Sequence, residues 1–477
     1  MQLTIPLSKR SGPLFQQVYR GLREGILSGA LREGQKLPST RDLAEQLGIS
    51  RTVVLLAYDQ LLAEGFAAGR AGSGTYVRSG VRLGRPASPE HSAKVRLTKF
   101  GSLAASAWTR MNFPVRPARS LPYDFAYGRS DLETFPFEKW RRVLLRCARS
   151  ASVSAFDYGP AGGRTELRDA ICNHLQRSRA VVCDASQVIV VNGSQQALDL
   201  IARVLLAPGE PVGIEDPSYQ GTTEVLRAAG TPLLPLTVDR EGIDPTRIPA
   251  NARIVFVTPS HQYPSGAILP LSRRLALLDW AKRRNAVIVE DDYDGEFRYE
   301  GQPLESLQGL DREGRVIYIG TFSRTIFSAL RIGYLVVPKG LVTAFAAAKW
   351  LCDRHTATLE QETLAEFIAS GMYERYLRKV RRENAKRREA LLEAIRSHLG
   401  DRVEVTGDGA GAHIVLWPRR RVSEETIIAG AAARGVCVYG ISPYFLRKPK
   451  RSGILVGYSR MNAARIREGI RRLAEVF

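Results

Sequence analysis

From about residue 121 to the C-terminus, helical stretches alternate with short β-branched runs, and this alternation restricts the fold more than any other feature. The runs are Gln187–Val191, Val212–Glu215, Arg253–Thr258, Ala286–Glu290, Val316–Ile319 and Tyr334–Pro338. Strand signals separated by helix-length segments need crossover connections. The segment is therefore expected to be α/β with a mostly parallel sheet. Ligands of such sheets sit beyond the carboxyl ends of the strands, so the polar turns after these runs are where a site is sought.

Two other zones precede this one. Residues 1–78 are helical in pattern and close on Gly72-Ser73-Gly74-Thr75-Tyr76-Val77. Residues 79–120 are rich in Gly, Pro, Ser and Ala, with eight Lys/Arg against the single acid Glu90. Their breakers and lack of a sustained apolar period predict a basic, flexible linker. Residues 121–477 form the large domain.

Within the first zone, Leu14, Val18, Leu22 and Ile26 recur every four residues, one face of an amphipathic helix. The string from Leu37 to Arg51, LPSTRDLAEQLGISR, then reads as two helices around a tight turn. Ser39 is a good N-cap, with Asp42 three residues on as the acid of a capping box. Leu43 and Leu47 form the buried stripe, Gly48 supplies backbone freedom at the turn, and Ile49 plugs the angle between the helices. Ser50 is expected to cap the next helix, which turns Val53, Val54, Ala57, Tyr58 and Leu61 inward and presents Ser50, Arg51 and Thr52 outward. In a helix-turn-helix those first residues of the second helix face base edges and phosphates in the major groove. Arg51 suits either bidentate contact to guanine or pairing with phosphate. Arg41 points toward the DNA backbone, and Gly72, Ser73, Gly74 and Thr75 form the turn of a wing.

Charge agrees with such a partner: 69 Lys+Arg against 48 Asp+Glu leave +21, which points to a polyanion. No apolar run of membrane-spanning length occurs, and MQLTIPLSKR lacks the order of a signal peptide. Cys147, Cys172, Cys183, Cys352 and Cys437 are scattered without metal spacing, so they read as reduced thiols of a cytoplasmic protein, and no metal is expected.

The segment from Leu14 to Val77, with LPSTRDLAEQLGISRTVV, AYDQLLAEGF and GSGTYV in order, resembles the GntR family of winged-helix regulators. In the large domain, Asn192-Gly193-Ser194-Gln195, Asp216-Pro217-Ser218-Tyr219, Glu290-Asp291-Asp292-Tyr293 and Thr321-Phe322-Ser323-Arg324, ending in Arg331-Ile332-Gly333, each follow or end a strand. In this order the set resembles the fold-type I, pyridoxal-phosphate-dependent aminotransferases. Preceded by the GntR-type reader, the chain is similar to the MocR family of regulators.

The resemblance implies a mostly α winged helix-turn-helix followed by a three-layer α/β pyridoxal-phosphate-transferase-like domain. By that likeness Gly193, Ser194, Gln195, Thr321, Ser323 and Arg331 would hold the phosphate. Tyr219 would stack on the ring, Asp291 would face the pyridine nitrogen and Tyr293 the ring hydroxyl. Tyr158 would reach a neighbouring subunit's phosphate, since the family works as a homodimer.

The pattern breaks at Arg324, where the family carries its cofactor lysine. A lysine can lose a proton and form a Schiff base; an arginine stays charged and is no usable amine nucleophile. Lys339 and Lys349 are expected on other elements. Leu455 stands where the family holds its substrate-carboxylate arginine, with Arg451 and Arg460 nearby in sequence. Two accounts follow: pyridoxal phosphate binds without a covalent bond, or Arg324 recharges the pocket and the cofactor is absent. Both imply a regulator of a double-stranded DNA operator that senses a small-molecule effector and does not transaminate. The alternatives are an active aminotransferase carrying a DNA-binding domain, and a purely structural dimerisation module.

Overall fold

The computed structural model describes residues 5–8, 11–80, 96–111, 121–299 and 304–477. The chain divides into two compact units, Met1–Arg96 and Leu97–Phe477.

In the first unit, α1 (Leu14–Leu27), α2 (Thr40–Leu47) and α3 (Arg51–Ala63) enclose one core. Val18, Leu22 and Ile26 of α1 are fully shielded, as are Leu43, Val54, Ala57 and Leu61. Ser39 caps α2 by accepting the Asp42 N–H at 3.2 Å. Gly48 ends α2 in the left-handed region at φ +63°, where a side chain would be strained. Ile49 is partly buried against the core. Ser50 stands at the N-cap of α3, but its hydroxyl makes no capping hydrogen bond, contrary to expectation. The Ser50 carbonyl instead accepts the Val53 N–H at 3.1 Å. Strands β1 (Ala67–Arg70) and β2 (Gly74–Val77) pair antiparallel, Ala67 opposite Val77, and form the wing.

The second unit begins with a helix where a tether was expected: α4 (Lys99–Arg110) lies inside the stretch read as linker. Its Gly, Ser and Ala residues give it the composition of a linker, but Thr98 caps it through the Gly101 N–H and Ala107 is buried. The neighbouring stretches 81–95 and 112–120 of the expected linker lie outside the described residues.

The strands of this unit are β3 (Tyr123–Asp124), β4 (Val188–Val191), β5 (Val212–Asp216), β6 (Leu233–Asp239), β7 (Gly242–Ile243), β8 (Ile254–Val257), β9 (Val287–Asp292), β10 (Val316–Thr321) and β11 (Gly333–Val336), then β12 (Val403–Thr406), β13 (His413–Pro418), β14 (Val436–Cys437), β15 (Tyr439–Gly440) and β16 (Ile454–Gly457). The helices after α4 are α5 (Phe137–Ser150), α6 (Thr165–Arg179), α7 (Ser194–Leu205), α8 (Gln220–Ala228), α9 (Leu271–Arg284), α10 (Leu307–Leu310), α11 (Val342–Asp353), α12 (Thr358–Ala369), α13 (Met372–His398), α14 (Glu424–Ala433) and α15 (Ala463–Leu473).

Among the described residues, the large sheet runs β4-β11-β10-β9-β8-β5-β6-β7. The pairs β10–β9, β9–β8, β8–β5 and β5–β6 are parallel, while β11 runs antiparallel to both β10 and β4. All six predicted runs are strands of this sheet; β6 was not singled out from the sequence. Alternation along the strands splits the core into two layers. Val188 and Val190 of β4 face α6, α12 and α13, whereas Ile189 and Val191 face α7, α8 and α11. A smaller antiparallel sheet, β12-β13-β16-β15, packs with the end of α13, α14 and α15 around its own core. No helix among the described residues is long and apolar enough to cross a membrane.

Candidate functional site

In the second unit, the carboxyl ends of β5, β8, β9 and β10 open onto a cavity of about 1020 Å³. That is at the upper end of the roughly 300–1,000 Å³ typical of small-molecule pockets. Eight of the predicted cofactor residues line it: Ser194, Gln195, Tyr219, Asp291, Tyr293, Thr321, Ser323 and Arg331.

One wall is made by the start of α7. Gly193 stands just behind it at φ +82°, where an added Cβ would come within 2.7 Å of the Arg331 guanidinium. Glycine therefore both permits the backbone turn and lets Arg331 approach. Arg331 Nη2 donates to the Asn192 carbonyl at 2.9 Å. The Thr321 hydroxyl accepts the Ser323 N–H at 3.2 Å, while the buried Ser323 Oγ has no hydrogen-bond partner. A helix N-terminus, an unspent hydroxyl and a guanidinium together suit a phosphate.

Tyrosines form the next wall. The Tyr263 ring meets Tyr219, Tyr293 and Tyr444 edge-on, at centroid separations of 5.9, 5.5 and 5.3 Å. Burial holds the hydroxyls of Tyr263 and Tyr293 well above their ordinary pKa, so both are neutral at physiological pH.

The acids at the end of β9 and just after it take three separate parts. Asp292 accepts Arg179 Nε and the Tyr318 hydroxyl, each at 2.6 Å, inside the fold. Asp294 Oδ2 lies 2.9 Å from His261 Nδ1, which is also 2.9 Å from the Tyr293 hydroxyl. Burial works against a charged His261, but the Asp294 carboxylate raises its pKa above the ordinary value. Asp291 borders the cavity, and its Oδ1 is shielded from solvent without a partner. Burial, with the adjacent Asp292 charge adding, pushes the Asp291 carboxyl up to about 7. An unpaired buried acceptor of this kind suits a protonated ring nitrogen.

Arg324 also lines the cavity, with its Cζ 5.7 Å above the Tyr293 ring centroid. Its guanidinium lies against Gly128, where any Cβ would collide with it. No lysine lines the cavity among the described residues. Lys349 is buried in α11 and bound to Asp353 at 2.6 Å; Lys339 is exposed and pairs with Asp184 at 3.1 Å. Leu455 is buried in an apolar cluster with Trp417 and Tyr444. Arg451 pairs with Glu404 at 2.6 Å, whereas Arg460 reaches the cavity. Tyr158 is exposed, beneath the Arg354 guanidinium at 4.4 Å, and stands outside the cavity.

Sequence reading missed several lining residues: Tyr127, Gly128, Arg129 and Ser130 after β3, and Trp108 and Met111 at the end of α4. Arg110 explains how α4 is held there. Its Nη2 reaches the Glu224 carboxylate of α8 at 2.7 Å. Two further convergences had no local signal. His413 joins His261 and Asp294 in a buried cluster, where burial and the His261 charge push it down to about 3. Cys172 and Cys183, both free, bring their sulfurs to 3.5 Å.

In the first unit, Ser39, Arg41, Ser50, Arg51 and Thr52 are all exposed. Arg51 Nε donates to Thr40 Oγ1 at 3.3 Å, which ties the start of α3 to the start of α2. At the wing, Gly72 and Gly74 have φ of +70° and +115°, and Ser73 Oγ lies 2.6 Å from the Tyr76 hydroxyl. Thr75 is half-buried, and its carbonyl accepts the Leu37 N–H at 2.9 Å. Exposed Arg70 covers the Tyr76 ring at 4.5 Å, and Lys36 packs beside Gly74. Arg41, Arg51, Arg70 and Lys36 thus leave the surface of this small unit cationic.

Comparison with known proteins agrees with this division. The family of bacterial regulatory proteins, gntR family, matches residues 14–77, and aminotransferase class I and II matches residues 124–473. The chain is 38% identical over 472 residues to the probable rhizopine catabolism regulatory protein MocR of Rhizobium meliloti, covering 98% of this chain and 94% of that protein. It is 33% identical to the HTH-type transcriptional regulator TauR of Rhodobacter capsulatus, covering 97% and 96%. Among solved structures, Pyrococcus horikoshii kynurenine aminotransferase matches with a TM-score of 0.70 at 27% identity, covering 80% of this chain and 95% of that one. The second unit is therefore a fold-type I pyridoxal-phosphate-transferase-like domain. The chain belongs to the MocR-type regulators, in which a GntR-family winged helix precedes an aminotransferase class I and II domain.

Proposed function

We propose that this protein regulates transcription by binding a double-stranded DNA operator through its winged helix, and that the aminotransferase-like domain binds an effector without transaminating it. The observation that carries the second half is the cavity itself. Residues suited to a phosphate, a tyrosine wall and the unpaired Asp291 Oδ1 support the reading, and by the resemblance of its motif Arg324 would occupy the cofactor-lysine position. Pyridoxal phosphate, when bound, supplies an aldehyde and an electron-withdrawing ring. Ser194, Gln195, Ser323 and Arg331 would hold its phosphate, Tyr219 its ring face and Asp291 its nitrogen. Arg324 offers no amine to attack the aldehyde, so the hold is non-covalent.

A homodimer is part of this reading. Val153, Phe156, Tyr158, Trp350 and Leu351 are exposed, and Arg354 links Tyr158 to Trp350 through its guanidinium. An exposed apolar group of this size suits burial against a second copy. Two readers in one dimer call for paired half-sites, and an effector that alters their spacing alters operator affinity.

The reading is tested on the purified full chain. The expected results are a specific gel shift on an operator from its own promoter region, saturable binding of pyridoxal phosphate without the yellow absorbance of a lysine adduct, and no amino-group transfer. A lysine adduct together with amino transfer would instead establish a working aminotransferase carrying a DNA-binding domain. That alternative is favoured only by the otherwise intact ring and phosphate contacts.

A further inference from the structure

The cationic side chains of the cavity fall into two groups at different walls. Arg331 belongs to the α7 wall, where it bonds the Asn192 carbonyl at 2.9 Å and occupies the space a Cβ on Gly193 would need. Arg324 makes different contacts, lying against Gly128 and over the Tyr293 ring. Arg460, after β16, reaches the same cavity from the smaller sheet. Tyr219, Tyr263 and Tyr293 line the same cavity, their neutral phenol rings meeting nearly at right angles.

The two groups differ in how far their donors are spent. Among the described residues, neither Arg324 nor Arg460 makes a hydrogen bond or an ion pair with protein. For Arg324 the contact of note is the Tyr293 ring, with Cζ 5.7 Å from its centroid. A guanidinium has five N–H donors in a rigid fork and cannot release its charge. For the partly buried Arg324, leaving such donors without a protein partner is unfavourable, and a planar anion would satisfy them; Arg460 is exposed at the cavity rim. Leu455 is buried with Trp417 and Tyr444, stands outside the cavity lining and offers no donor to a carboxylate.

We propose that Arg324 makes the cavity selective for a ligand with two anionic ends: a phosphopyridoxyl compound that carries a carboxylate beyond the ring. This rests on the reading of the cavity as a pyridoxal-phosphate site. Phosphate is held at the Arg331 wall, and the second anion lies against Arg324 with Arg460 at its flank. A ligand with an ammonium in that place meets a fixed like charge. Arg324 is thus a specificity-determining residue and not merely the loss of a lysine.

The test is calorimetric titration of the full chain at one pH and salt with three stable probes: pyridoxamine 5′-phosphate, the reduced conjugate phosphopyridoxyl-glycine, and the same conjugate without its phosphate. Phosphopyridoxyl-glycine is expected to bind at least about tenfold more tightly than pyridoxamine 5′-phosphate, the scale of one charge-assisted pair. Arg324→Gln should collapse that ratio toward one, and Arg324→Lys, which keeps the charge, should retain most of it. Equal wild-type affinity for the two phosphorylated probes overturns the inference while leaving the cavity a vitamer site. So does a ratio that survives Arg324→Gln. If neither phosphorylated probe binds the folded protein, the pyridoxal-phosphate reading falls and the inference falls with it.

Discussion

The Arg324 guanidinium lies 5.7 Å above the Tyr293 ring centroid and against the backbone of Gly128, so the cavity holds a permanent cation packed on an aromatic face. A guanidinium cannot release its charge, whereas a lysine in the same place can lose a proton and become a nucleophile. Replacing it with lysine trades a charge that cannot be released for one that can.

Arg324→Lys is therefore expected to allow Schiff-base formation at this position. On adding pyridoxal phosphate, the variant should turn yellow and, after borohydride reduction, carry one covalently fixed cofactor per chain by mass spectrometry. The unsubstituted protein should remain free of adduct. A colourless variant that nonetheless binds pyridoxal phosphate would show that an amine at position 324 does not reach the aldehyde.

Asp291 should leave a signature in the pH dependence of stability. Its carboxyl is raised by burial from the ordinary 3.8 to about 7, so the folded protein keeps a proton that the unfolded chain releases. That contribution to stability is complete below about 4 and is lost as pH rises through about 7. Asp291→Asn removes the titration. Between about pH 5 and pH 8 the ligand-free protein should lose more melting temperature than the variant does. Parallel melting curves across that range would contradict the assignment.

At the reader, Arg51 is exposed at the first turn of α3 and leans on Thr40 Oγ1 at 3.3 Å. Arg51→Ala is expected to weaken operator binding by about 1–3 kcal/mol if the residue contacts a base. If it contacts only phosphate, sequence preference stays intact and the slope of log affinity against log salt falls by about 1. Gel-shift titration at several salt concentrations separates the two. Unchanged affinity at every salt would remove Arg51 from the interface.

An ion pair ties α4 to α8. Arg110 is partly exposed, but its partner Glu224 is nearly buried, with 8% of its side chain accessible. Allowing for solvent screening, the pair contributes on the order of 1 kcal/mol. Arg110→Ala should therefore speed hydrogen exchange of residues 99–110 by roughly fivefold while leaving the central strands protected. Because Trp108 and Met111 line the cavity, effector affinity should fall in the same variant. Unaltered exchange would mean that burial of Ala107 holds the helix unaided.

Much of this molecule could be read without coordinates. The reader was legible because its signals are local: Ser39 and Gly48 bound α2, and the spacing of Val18, Leu22 and Ile26 marks the buried face of α1. The six strands were legible because β-branched runs facing two cores are apolar throughout. The place of the cavity followed from strand polarity, and Arg324, singled out in the sequence, lines it.

Tertiary structure alone decided the rest, because each case turns on contacts between residues far apart in the chain. Asp291, Asp292 and Asp294 are equivalent as letters. Only packing gives Asp292 to Arg179, gives Asp294 to His261 and leaves Asp291 unpaired at the cavity. Residues 99–110 have the composition of a tether and become a helix that docks on α8, 114 residues away from Arg110 at Glu224. Arg460 and Arg451 sit nine positions apart on either side of β16, and only the fold sends the first into the cavity and the second to Glu404. Period and capping act over a few residues, so sequence determines the elements; burial and charge pairing act across the assembled chain, so the fold determines which groups are left with chemistry to do.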